Sequence, residues 1–135
     1  MKTLMIFVGI GLLFFLSTGL KQQANAPWIA PKEADALKNP LKNNADATAK
    51  GKILYTQYCT ICHGVKGLGN GVGGMNLTPK PTNHTSKKVQ SQTDGAIYWK
   101  MTNGRPPMAS YKDILKDDQR WELVNYIRTL AAPVK

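Results

Sequence analysis

Cys59 and Cys62 stand three residues apart, and His63 follows at once. On a helical turn, side chains at that spacing face the same way. Two thiols so placed can each add across one vinyl group of a porphyrin, giving two thioether bonds. The adjacent imidazole can then put a nitrogen on the iron from one side. The motif uses both cysteines of the chain and reads as the attachment site of one covalent haem c. Three other chemistries compete for the same residues. A redox dithiol of the thioredoxin kind belongs in a βαβ context, and no parallel-sheet pattern flanks the motif. Zinc needs four ligands, and the only other histidine is His84. An isolated disulfide would close a loop too short to stabilise much.

An iron held by His63 has a second axial position, for which Met75, His84, Met101 and Met108 are the candidates. Met101 has apolar helical neighbours and reads as core. Met75 lies in the loop expected to cover the histidine side. His84 lies in a polar loop, reads as exposed, and would give bis-histidine ligation with a lower potential. Met108 follows Pro106-Pro107, and prolines limit where its loop can go. Its thioether is a soft ligand that raises the potential of haem iron. The sixth position is therefore assigned to Met108. A carbonyl of Leu77-Thr78-Pro79-Lys80-Pro81 is expected to accept the other ring N–H of His63, with Pro79 favoured over Pro81. Arg105 and Trp99 are candidate donors to a haem propionate.

These residues need elements to position them. A helix is expected from Asp46 to Tyr58, capped by Asp46 or Asn44, with Ile53, Leu54, Tyr55 and Tyr58 on its apolar face. Gly51 in mid-helix signals the close approach of another helix. Six glycines between Gly64 and Gly74 make a loop whose backbone can pass close to a porphyrin edge. Residues 82–92 read as polar loop. Asp94 can cap a short helix, Gly95 to Thr102, stopped by Asn103-Gly104. The last helix starts near Lys116 or Asp117 and ends at Pro133. Its Leu123, Tyr126, Ile127 and Leu130 follow helical spacing. That face is expected to cross the first helix near Gly51, with Tyr55 and Tyr126 in the contact.

The chain has 135 residues, enough for one small domain with an extension. Residues 1–20 read as a signal peptide or an N-terminal membrane anchor. Leu4 to Leu20 runs without a charge, a length between a signal core and a full span. Ala24-Asn25-Ala26 has the form of a cleavage site, although Pro27 follows directly. Either way the rest is expected to be exported, hence periplasmic, whether free or anchored through residues 4–20. Residues 21–44 form a Pro/Ala/Lys/Asn-rich linker or extension. Its Trp28 could pack on the domain or sit at a membrane interface. Residues 45–135 form the domain. The formal charge is +10, which favours acidic partners or anionic surfaces. No nucleic-acid motif is present and the lysines are dispersed, so nucleic acid is not an expected partner. The polar domain can bury only a modest core alone, so a porphyrin would form part of it, leaving the haem-free chain poorly folded.

Taken in order, these features resemble the monohaem class I cytochrome c family over roughly residues 45–133. The matching stretches are Gly51-x-x-x-Tyr55-x-x-x-Cys59-x-x-Cys62-His63-Gly64, Leu77-x-Pro79-x-Pro81, Gly104-x-x-x-Met108 and Trp121-x-Leu123-Val124-x-Tyr126-Ile127-Arg128-x-Leu130. The Pro106-Pro107 pair before the methionine departs from the commoner arrangement, which has proline after it. The resemblance implies a small all-α fold of three or more helices around one covalent haem c. It implies Cys59 and Cys62 as the attachment points, His63 as proximal ligand and Met108 as distal ligand. It also implies one-electron transfer with redox protein partners and no enzymatic turnover. Two alternatives stand beside an exported respiratory carrier. One is a haem subunit of a larger membrane oxidoreductase. The other, disfavoured by Met108, is a peroxidase-like or gas-binding haem protein.

Overall fold

The computed structural model describes residues 26–131, so the targeting segment read at 1–20 lies outside the described residues, and the last helix, expected to run to Pro133, already ends at Thr129. Within them are five α-helices and no strand, only an isolated bridge between Arg105 and Met108. The helices are α1 (Ala45–Tyr58), α2 (Thr60–His63), α3 (Lys87–Gln90), α4 (Asp94–Asn103) and α5 (Asp117–Thr129).

The core is the crossing of α1 and α5. Asn44 caps α1, its side chain accepting from the Ala47 N–H at 3.0 Å. The start of α5 carries Asp117 and Asp118, which suit the positive end of the helix dipole. Gln119 Oε1 accepts from the Lys116 N–H at 2.9 Å and ties down that end. Gly51 is the point of closest approach, because a methyl group there would overlap the Glu122 carbonyl of α5. One turn on, Tyr55 is 1 % exposed, with its ring 5.1 Å from that of Tyr126. Leu123 and Val124 complete the sealed centre. Ile53, expected on this face, is instead 68 % exposed. At 3.6 residues per turn, two residues from Gly51 and from Tyr55 is more than half a turn away from both.

Helix α4 closes the core from the side through Ile97 and Met101, with Tyr98 stacked on Trp121 at 4.0 Å. Its cap is Thr93, whose hydroxyl accepts from the Ala96 N–H, so the helix starts one residue earlier than expected. It stops where expected, at Gly104, whose φ of +64° favours glycine. The polar loop expected at 82–92 contains α3, a single turn with Val89 buried in the core. Gln90 locks it there, its side-chain N–H groups donating to the carbonyls of His84 and Ile127.

The chain ahead of α1 packs on this body. Residues Lys32–Ala36 form a 3-10 turn against α4, with Ala34 buried. Asn39 donates to Asp94 and Asn125, and Asn125 donates to the Leu41 carbonyl. Trp28 lies under the Arg105 guanidinium, 5.1 Å from its ring centre, with Lys100 at 5.9 Å. It packs on the domain. No helix among the described residues is long and apolar enough to cross a membrane.

Candidate functional site

The Cys59-Thr60-Ile61-Cys62-His63 motif occupies the junction of α1 and α2. Cys59 ends the first helix and opens the second. The N–H groups of Cys62 and His63 both donate to the Cys59 carbonyl, at 3.2 and 2.8 Å, which winds the motif into one turn. A helix end leaves carbonyls unpaired, and the glycine-rich loop meets them here. Gly69 N–H donates to His63 O at 2.8 Å, and Gly71 N–H to Cys62 O at 3.0 Å. A side chain at Gly71 would run into the backbone of Ile61 and Thr60. The glycines thus let the loop lie directly on the motif.

Both thiols are half-buried and unbridged. Burial pushes the Cys59 thiol up to about 12, with the nearby Cys62 adding to the shift. Among the described residues, no group of three or more His, Cys, Asp or Glu side chains gathers as a metal site.

His63 Nδ1 donates to the Thr82 carbonyl at 2.9 Å. The acceptor therefore lies just beyond the expected Leu77–Pro81 segment, and it is not Pro79. The carbonyl fixes the tautomer: with hydrogen on Nδ1, the lone pair of neutral imidazole is on Nε2. Burial lowers the pKa of His63, against a smaller upward pull from that carbonyl, and so favours the neutral ring.

His84 is not exposed. Its ring is stacked on His63, with centres 4.1 Å apart and planes 18° from parallel. Its Nδ1 lies 3.1 Å from the Tyr55 hydroxyl. Burial, and the neighbouring His63, drive its pKa down to about 3, so it is neutral at ordinary pH. The stack is not the arrangement of two ligands on opposite sides of one metal. Trans ligands point at each other through the metal, whereas these two rings lie face to face. Nothing in the local sequence marks either Thr82 or His84. A carbonyl has no side-chain signature, and Tyr55 is 29 residues from His84.

Met108 is half-buried in a turn that follows α4. Arg105 and Met108 close the turn by exchanging N–H···O bonds of 3.0 and 2.8 Å. The following residues are fastened from three directions. Tyr111 N–H donates to Met101 O at 3.1 Å, and Ser110 Oγ to Thr102 O at 2.7 Å. The Tyr111 hydroxyl donates to Tyr58 O at 3.0 Å, one residue before Cys59. The buried Arg120 guanidinium holds the carbonyls of Lys112 and Leu115. Met101 is 5 % exposed in the core, as expected, and Met75 is 58 % exposed. The Thr102 hydroxyl, at the end of α4, is buried without a partner in the chain. Arg105 donates to the Ala26 carbonyl at 2.9 Å.

These residues fit a haem. An attachment turn and an imidazole with its lone pair on Nε2 are in place. Comparison with known proteins agrees. The Cytochrome c family model matches residues 48–131. A "Cytochrome c6-like" protein of Nostoc sp. is 31% identical over 84 residues, covering 62% of this chain and 71% of that protein. A chain of the Kuenenia stuttgartiensis reducing HAO-like protein complex Kustc0457/Kustc0458 is similar in structure, with a TM-score of 0.62 and 28% identity. The match covers 71% of this chain and only 50% of that one. The KustC0563 c-type cytochrome matches with a TM-score of 0.52 and 27% identity, over 61% of this chain and 98% of that one. The fold, the motif and the span of the family match agree on one conclusion: the chain belongs to the class I monohaem cytochrome c family, all-α and carrying a covalently bound haem c.

Proposed function

We propose that this protein is a one-electron carrier, not an enzyme, working in an exported respiratory chain. Cys59 and Cys62 hold the haem through two thioether bonds. His63 Nε2 supplies the proximal ligand and the Met108 thioether the distal one. The observation that supports this reading is the His63–Thr82 bond, which puts the lone pair of the neutral ring on Nε2, where it could meet the iron. When bound, haem c supplies the Fe(III)/Fe(II) couple. The chain's own task is to keep that centre from rearranging. Thr82 holds the proximal ring, and Tyr111, Ser110 and Arg120 hold the Met108 loop. With His63 and Met108 both on the iron, no position would be left open for a substrate.

Ile61, Val65, Val72 and Met75, all exposed, lie on the motif turn or in the loop after it. With a formal charge of +10, they support brief, salt-sensitive docking of an acidic redox partner. The charge-free run at Leu4–Leu20 supports export to the periplasm, with residues 4–20 either removed as a signal or kept as an anchor. A second reading is a haem subunit of a larger oxidoreductase. The similarity to a chain of a multi-protein complex, of which this chain matches half, favours it.

Optical and magnetic-resonance spectra of the holoprotein and of Met108→Ala test the ligand set. The wild type is expected to show a methionine–iron signature that the variant lacks, and the reduced variant is expected to gain carbon monoxide binding. Identical spectra would reassign the sixth ligand. Purification from the native membrane fraction separates the two readings, since a fixed subunit brings stoichiometric partners with it.

A further inference from the structure

We infer that His84 is a positioning residue for the proximal ligand: its ring fixes the plane of the His63 imidazole about the iron–nitrogen axis and holds down the potential of the haem. The inference rests on His63 being that ligand. An imidazole bound through Nε2 keeps one soft motion, rotation about the bond to the metal. The Thr82 carbonyl restrains one edge of the ring at 2.9 Å. The face of His84, 4.1 Å away and nearly parallel, restrains the plane itself.

His84 is in turn over-determined. Its N–H donates to the Gly67 carbonyl at 2.7 Å, and its own carbonyl accepts from Gln90 at 2.7 Å. Its ring is anchored by the Tyr55 hydroxyl at 3.1 Å and meets the edge of the Tyr55 ring at 5.8 Å. Tyr55 is sealed in the crossing of α1 and α5. A rigid chain of contacts therefore runs from the packed core, through Tyr55 and His84, to the flat side of His63. An aliphatic side chain in place of His84 could fill the volume but could not impose a plane. The stack also has an electronic consequence. Positive charge on the iron is shared with its imidazole ligand and is greater in the ferric state. A polarisable π-face against that imidazole favours the more positive state and so lowers the potential.

The test compares holoproteins: wild type, H84F, H84L and Y55F. The readouts are the paramagnetic shift pattern of the ferric haem methyl groups, which reports the plane of the axial imidazole, and the midpoint potential. H84F keeps a flat ring and is expected to keep the wild-type order of methyl shifts. H84L is expected to change that order and to raise the potential. Y55F, which frees the anchor of His84 and also drops the longer 3.4 Å bond to the Gly64 carbonyl, is expected to move both readouts the same way by a smaller amount. An unchanged shift order and potential in H84L overturn the inference, as does an equal displacement in H84F and H84L. If H84L does not take up haem, Y55F decides, and wild-type values for both of its readouts overturn the inference. Failure of the underlying ligand reading looks different, because the wild-type protein itself would then lack the spectrum of a histidine-ligated low-spin haem.

Discussion

Tyr111 fastens the Met108 loop to the end of α1 through one hydroxyl, and that hydroxyl can be titrated away. Its pKa is pushed up from 10.0 to about 12, first by burial, with smaller contributions from Cys59, Cys62 and Tyr58. Where the two thiols are consumed in thioethers, burial remains the leading cause. The sign follows from linkage. The fold favours the neutral phenol, so this stabilisation is fully present below pH 10 and is lost as pH rises through about 12. Tyr111→Phe removes the bond to Tyr58 O and is expected to cost about 1 kcal/mol at neutral pH. The variant has no phenol left to ionise, so its deficit relative to wild type should shrink between pH 10 and 12. Denaturant unfolding of both holoproteins across that interval checks this. A deficit that stays constant would mean that the hydroxyl does not fasten the loop.

At the scale of elements, the α1–α5 crossing depends on a missing side chain. Alanine is intrinsically better in a helix than glycine by about 1 kcal/mol. At Gly51 its methyl would overlap the Glu122 carbonyl, which is backbone and cannot rotate aside. Overpacking of this kind costs about 1–3 kcal/mol, and here the two helices would have to separate. Gly51→Ala is therefore expected to lower stability and to reduce the melting temperature by several degrees, at about 4–8 °C per kcal/mol for a domain of this size. Thermal unfolding of the holoprotein measures it, and an equal or higher melting point would contradict the close approach. This crossing was legible in the sequence because glycine and the spaced apolar residues of α5 both report on it. Ile53 misled because Ile53-Leu54-Tyr55 reads as one apolar run, although a helix distributes those side chains around its circumference. Helix α3 was hidden because Val89 is its one apolar residue. The attachment motif was legible because its chemistry is carried by side chains. The Thr82 acceptor and the His84 stack were not, because one is a carbonyl and the other depends on how distant segments meet.

On the scale of the whole molecule, the described core is small for what it must hold together. Only Tyr55, Leu123 and Val124 are among the large side chains with less than 2 % exposure. All three lie on α1 and α5. The other side of the chain is a motif turn, a glycine-rich loop and a proline-held segment, with Ile61, Val65, Val72 and Met75 exposed along the first two. Such loops contribute little apolar burial of their own, so ordering them costs conformational entropy without the usual return. A covalent porphyrin at the α1–α2 junction supplies the missing apolar surface. The Cys59→Ala, Cys62→Ala double variant, made without haem, is therefore expected to lose one cooperative unfolding transition before it loses all helix. The α1–α5 pair carries its own packing and should persist as a fluctuating helical pair. Far-ultraviolet circular dichroism should retain part of the helical signal, while proton NMR dispersion and the sharp melting transition disappear. A dispersed spectrum with a cooperative melt near that of the holoprotein would show that the polypeptide alone specifies the fold, and that the haem is a passenger in it.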